Sequence, residues 1–394
     1  MPQPSILHAV VAGLVAAFVG FASSFPVVLK GLTAIGASDV EAASGLMALS
    51  IAMGVAGIVL SFATRMPVSV AWSTPGAALL ASTGAIQGGF PVAVGAFVVV
   101  ALLLVAAGLF KPLARAVAAI PAPLANALLA GVLFQLCLAP VKAMADTPVS
   151  AAAIIVVWLV VARWKRLYAT PAAALVAAAL IVASNRGALG GLGDLRPHPL
   201  FITPSLSLSA MISVALPLFI VTMASQNIPG LAVLTASGYR PTPGPLIAVT
   251  GFFGLLAAPF GGHAVNLAAI TAALCASPDA HPDPAKRWVA AAANGAAYVV
   301  FGSFAGAVAS AVAGSPILIE AVAGLALLGA FGSALGAALA EANAREAALA
   351  TFLTAASGLN FLGIGGAFWG LVAGGAILAL SRAGAKRQPS KPAS

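Results

Sequence analysis

The chain has 394 residues, of which 61% are hydrophobic and only 7% charged, with a formal net charge of +9. A soluble domain carries about 25% charged residues, so this composition excludes a water-soluble fold and points to an all-α polytopic membrane protein. The basic residues stand one to three at a time between apolar runs, a pattern of membrane orientation and not of a nucleic-acid patch.

Cut at its polar and Pro/Gly breaks, the chain predicts about fourteen apolar segments. The first half gives 6–35, 40–63, 68–82, 90–110, 120–141, 149–164 and 170–183. A polar stretch at 185–206 separates these from 208–237, 245–260, 263–277, 288–313, 317–340, 346–357 and 361–380. The domain reading is a first repeat at 1–184, an outer connecting loop at 185–206, a second repeat at 207–381 and a cytoplasmic tail at 382–394. The first basic residue is Lys30. The charged leading region of a cleaved signal is therefore missing, and the first segment is expected to remain as a span.

The segments starting at Val68 and His263 are short for a crossing, which needs about 20 residues. Orientation argues that they cross all the same. With both termini in the cytoplasm, the inner side receives Arg65, Lys111, Arg115, Arg163, Lys165, Arg166 and the basic tail. The outer side keeps Lys30, Lys142, Arg186 and Arg196. Dropping the third segment would send Lys111 through Arg166 outward and reverse the positive-inside bias.

The chain also repeats itself. "SSFPVVLKGLTAIG" from Ser23 returns as "SQNIPGLAVLTASG" from Ser225, and "ALLAS" from Ala78 returns as "ALCAS" from Ala273. Each match sits at the same place in its half. Halves with an odd number of spans lie in opposite orientations, which makes a 7+7 inverted repeat with spans 3 and 10 broken. Broken spans at matching places are the best sequence pointer to a transporter's midplane site. Their half-helix N-termini carry positive dipole ends that suit an anion.

Three stretches carry the candidate site. "AWSTPGAALLAS" offers Ser73, Thr74 and the N–H groups of Gly76 and Ala77, with Ser73 or Thr74 as the helix cap. "GGHAVNLAAITAAL" offers His263 and Asn266. His titrates near neutral pH, and an ionisable residue inside a membrane is a functional candidate, although a hydrogen-bonded histidine at the membrane edge reads equally from the residues. "MASQNIPG" places Gln226 and Asn227 just before Pro229, as substrate ligands or as glue between helices. Pro26 and Pro229 are expected to kink their helices.

No carboxylate falls in these stretches. Glu320 is a candidate proton carrier or a solvated edge residue, and Lys30 has no acid partner evident in sequence. Cys137 and Cys275 read as small core residues. No nucleophile–base, Walker or zinc motif is present, so no enzyme activity, cofactor or metal is expected.

At "FPVVLKGLTAIGAS", "AWSTPGAALLAS", "TMASQNIPGLAVLTASGY" and "PFGGHAVNLAAITAAL" the sequence resembles the bacterial benzoate:proton symporter family, itself related to nucleobase–ascorbate and sulfate-type anion transporters. The resemblance runs through nearly the whole chain. It implies a core of spans 1–4 and 8–11, a gate of spans 5–7 and 12–14, and short strands at 68–72 and 263–267 ahead of the half-helices. It further implies proton-coupled import of an aromatic carboxylate across the bacterial inner membrane. The carboxylate would be held by Ser73, Thr74, Gln226 and Asn266, and Phe25, Phe260 or Phe18 would pack the ring. Nucleobase carriers place acids in spans 8 and 10, where this chain has Gln226, Asn227, His263 and Asn266. A nucleobase or inorganic-anion carrier of the same fold, or an anion channel, stays open as the alternative. The implied partners are a small anionic substrate, a proton and the lipid bilayer, with a homodimer left open.

Overall fold

The computed structural model describes residues 6–184, 198–313 and 315–385. Arg186, Arg196, most of the connecting loop and the basic tail beyond Ala385 lie outside them. The described chain is mostly helical, and eight of its helices are long and apolar enough to cross a membrane.

In the first half, α1 (Ile6–Ala34), α2 (Asp39–Thr64), β1 (Val70–Trp72), α3 (Thr74–Thr83), α4 (Phe90–Leu109), α5 (Lys111–Ala118), α6 (Ala122–Cys137), α7 (Ala139–Asp146) and α8 (Pro148–Ser184) follow in order. In the second half come α9 (Leu208–Ala236), α10 (Pro243–Ala257), β2 (Val265–Leu267), α11 (Ile270–Ala276), α12 (Trp288–Ser303), α13 (Ala305–Ala313), α14 (Pro316–Leu339), α15 (Arg345–Ala356), a small hairpin of β3 (Asn360–Phe361) and β4 (Ile364–Gly365), and α16 (Gly366–Ala385).

Local chemistry sets these boundaries. Ser38 and Glu41 form a capping box that starts α2, and Arg65 in the left-handed region ends it. The expected segments 149–164 and 170–183 are two helices that meet at a kink in the basic turn, where Lys165 has non-helical backbone; the two together are labelled α8. Pro26 does not interrupt α1, which stays helical throughout. Before Pro229, by contrast, residues Met223–Asn227 widen into a π-helical turn, because Pro229 has no N–H to return to the preceding turn. The tail expected from residue 382 begins as a continuation of α16.

Packing runs between the halves. The long α2 lies against α12, α10 against α4, and α14 against α6. Glycines permit the closest approaches: a Cβ on Gly54 would sit 2.5 Å from the Gly295 oxygen, and one on Gly295 would sit 2.5 Å from the Gly54 oxygen. Small residues at such crossings let backbones meet where lipid offers no hydrophobic drive. At the centre, β1 and β2 pair antiparallel, with Val70 opposite Leu267, Ala71 opposite Asn266 and Trp72 opposite Val265.

Candidate functional site

The ribbon of β1 and β2 is non-helical backbone inside an apolar bundle, so each of its polar groups needs a partner from protein. Its strands close on each other through Ser73 N–H to Ala264 O at 3.1 Å and Ala268 N–H to Ser69 O at 2.9 Å. Side chains finish the task. The Leu267 N–H donates to Asn227 Oδ1 at 2.9 Å, and Asn266 Nδ2 donates to the Leu267 oxygen at 2.9 Å. The amide of Asn227 thus joins the π-helical turn of α9 to the ribbon.

Ser73 is the busiest residue. Its Oγ accepts from the Gly76 N–H at 3.1 Å, capping α3, and from Thr222 Oγ1 at 2.9 Å. Its main-chain oxygen accepts from the Ala77 N–H at 2.8 Å and lies 2.9 Å from His263 Nε2. A carbonyl oxygen only accepts, so Nε2 carries the hydrogen. His263 Nδ1 and Asn266 Oδ1 are then buried lone pairs without a hydrogen-bond partner among the described residues.

The residues singled out in sequence therefore gather at the ribbon but fall into two sets. Ser73, Asn227, His263 and Asn266 are buried and hold the ribbon and the half-helix start. Thr74, Gln226 and Phe25 are only partly buried. Gln226 lies one turn beyond Thr222, the residue that touches Ser73, and Phe25 stacks on Phe21, which packs against Trp72.

Four sequence expectations need correction. The Gly76 N–H is occupied by Ser73 Oγ and the Ala77 N–H by the Ser73 oxygen, so neither is a free donor. Phe260 packs edge-on against Phe201 and lines an apolar groove with Met47, Ile51 and Phe253, apart from the ribbon. Phe18 is exposed on α1. Glu320 is no lone edge carboxylate and Lys30 does have an acid partner, since the two form an ion pair at 2.7 Å. The second half-helix starts at Ile270, just after its strand, and has no side-chain cap.

Sequence reading missed several supports. Trp72 Nε1 donates to Ser24 Oγ at 2.9 Å, tying β1 to α1. Ser69 Oγ lies 2.7 Å from Thr271 Oγ1 and donates to Asn294 Oδ1 at 3.1 Å, tying β1 to α11 and α12. Asn294, an amide inside the apolar run "AAANGAAYVV", carried a readable signal. A lone threonine such as Thr222 carries none.

Comparison with known proteins places the chain in a family. The benzoate membrane transport protein family matches residues 3–380. The chain is 41% identical to the inner membrane protein YdcO of Escherichia coli (strain K12) over 377 residues, covering 95% of each chain. It is 34% identical to the benzoate membrane transport protein of Acinetobacter baylyi (strain ATCC 33305 / BD413 / ADP1) over 388 residues, again 95% of each. Among solved structures it resembles the transmembrane domain of a cyanobacterial bicarbonate transporter, BicA, with TM-score 0.56, 14% identity and coverage of 89% of this chain and 97% of that one. It also resembles the murine anion transporter Slc26a9 in the inward-facing state, with TM-score 0.60, 12% identity and coverage of 98% of this chain and 70% of that one. At such identities these two likenesses show the fold alone. The chain belongs to the benzoate membrane transport protein family and is a multi-pass membrane transporter.

Proposed function

We propose that this member of the family imports benzoate, or a close aromatic carboxylate, together with a proton, by alternating access across a bacterial inner membrane. The antiparallel pairing of one short strand from each half supports a chain of fourteen crossings arranged as two inverted sevens, with both termini in the cytoplasm. α1–α4 and α9–α13 make up the core, and α5–α8 and α14–α16 the gate. The packing partners support that division: α2 lies on α12 and α4 on α10, whereas α6 and α15 lie together with α14 and α16.

One observation carries the choice of substrate. α3 begins at the ribbon with the partly exposed Thr74 in its first turn, and the ribbon's polar residues include no carboxylate. A positive helix end with neutral hydroxyl and amide neighbours suits an anion. Thr74 and Gln226 contact the carboxylate, and Phe25 packs the ring. Ser73, Asn227 and Asn266 position these groups from behind. His263 is the proton-carrying group, because its Nδ1 is a buried lone pair that no donor among the described residues occupies.

A competition assay tests the reading. Uptake of labelled benzoate into proteoliposomes should saturate and be inhibited by substituted benzoates. Benzamide, which has the ring without the charge, and sulfate or bicarbonate, which have charge without the ring, should not compete. Inhibition by uracil or by sulfate instead would overturn the assignment.

A further inference from the structure

Three cavities lie between the two helix groups. One of about 230 Å³ is bounded by α1, α2 and α14, one of about 190 Å³ by α6 and α9, and one of about 260 Å³ by α3, α9 and the β3–β4 hairpin. Within each group some helices meet in close contact, as at Gly54 and Gly295 or where Gly324 lies against Leu136 and Pro140, and the core also carries the apolar groove of about 280 Å³ between α2 and α10. The seam between the groups holds these three cavities. Close-packed interiors resist sliding, whereas a seam with voids forfeits little dispersion energy when it opens.

Among the described residues, one ion pair spans the first of these cavities. Lys30 Nζ of α1 meets Glu320 Oε1 of α14 at 2.7 Å, with both side chains about a third exposed (36% and 30%). Around them the cavity is lined by Pro26, Leu29, Thr33, Asp39 and Ile319. α1 belongs to the ribbon: Trp72 donates to its Ser24, and Gly31 lies directly against the backbone of Ala77 in α3. α14 belongs to the opposite group through α6, α7 and α8. The ion pair therefore connects the helix that carries the site to the helix that closes on it, across a gap that side-chain packing does not fill.

We infer that Lys30 and Glu320 form the latch that keeps the outer side of the transporter shut. The inference rests on the proposed orientation and on alternating access, which require α1 and α14 to part on the outer side when substrate enters. A partly exposed ion pair contributes about 0.2–1 kcal/mol, so the latch biases the equilibrium between closed and open outer sides by up to roughly fivefold. A bond of that size suits a gate that must open in every cycle. A fully buried pair would open too seldom, because breaking it leaves unpaired charges.

The test uses the full chain with Cys137 and Cys275 replaced by alanine and Thr33→Cys as the reporter, since Thr33 lines the cavity. In proteoliposomes, a membrane-impermeant maleimide added outside should label Cys at position 33 about two- to fivefold faster in Lys30→Met or Glu320→Gln than in the parent. The exchange Lys30→Glu with Glu320→Lys should return the rate to that of the parent, and Asp39→Asn should leave it unchanged. High salt, which screens partly exposed pairs, should speed labelling of the parent but not of Glu320→Gln. Unchanged labelling in both single variants, or no recovery in the exchanged pair, overturns the latch. If a single variant fails to fold, the salt response of the parent decides: its absence also overturns the latch. The transport reading is judged separately by benzoate uptake of the parent. Uptake without a labelling shift refutes only the latch, and a labelling shift without benzoate uptake refutes only the choice of benzoate as substrate.

Discussion

His263 Nε2 lies 2.9 Å from the main-chain oxygen of Ser73, so the residue that leads into one broken span is bonded to the residue that starts the half-helix of the other. The two segments are 190 positions apart in sequence, and at that point this side chain joins them alongside the main-chain bond from Ser73 N–H to the Ala264 oxygen. Any group that changes its protonation there acts on both halves at once.

Replacing His263 separates its two roles. His263→Gln retains a donor of similar reach for the Ser73 oxygen, and should keep benzoate exchange while losing acceleration by an inward proton gradient. His263→Ala removes a buried partner and should in addition lower stability by about 1–3 kcal/mol, read as a reduced unfolding midpoint in detergent. If His263→Gln still concentrates benzoate under an imposed pH gradient, the coupling role passes to Glu320 or to the substrate's own carboxyl group.

The neighbouring amides should behave oppositely. Asn227→Leu leaves the buried Leu267 N–H without an acceptor, and should cost about 1–3 kcal/mol of stability. Gln226→Ala removes a partly exposed group, and should leave the unfolding midpoint unchanged. It should weaken benzoate binding about tenfold or more, since a hydrogen bond to a charged group contributes about 1.5–3 kcal/mol. Equal loss of stability in both variants would show that Gln226 is also scaffold.

Much of this arrangement was readable in the sequence, because membrane burial leaves few polar residues to choose from. A cap at Ser73 or Thr74, the break before α3 and the polar pair before Pro229 follow from cap, proline and repeat patterns, whereas the short strands at the ribbon came only with the family resemblance. The register that puts Ala71 opposite Asn266 does not, because it is set by long-range pairing. Which polar residues are partly exposed and which are enclosed was equally hidden. Residue type alone does not separate the partly buried Thr74 and Gln226 from the buried Ser73 and Asn227. The Lys30–Glu320 pair joins helices from different halves, and nothing local to either residue announces it.

The crossing of α2 with α12 supplies a packing test. Gly54→Val or Gly295→Val would drive a side chain into the facing backbone, where even a Cβ would lie 2.5 Å from an oxygen. Overpacking of this kind should cost about 1–3 kcal/mol. Thermal unfolding in detergent should drop in both variants, whereas Gly336→Ala, which meets nothing, should leave it unchanged.

Topology is tested by labelling. A cysteine replacing the exposed Trp164 in the basic turn of α8 should react only from the cytoplasm, and one replacing the exposed Leu362 in the β3–β4 hairpin only from outside. Labelling of both from one side would contradict the fourteen-span arrangement.

The most direct test of the central claim is accumulation of labelled benzoate in proteoliposomes holding the purified protein, with and without an inward proton gradient. The account predicts saturable uptake that rises above equilibrium when the gradient is imposed, collapses with a protonophore and is strongly reduced in Gln226→Ala. Uptake that never exceeds equilibrium, or that grows without saturation as a conductance does, would contradict it.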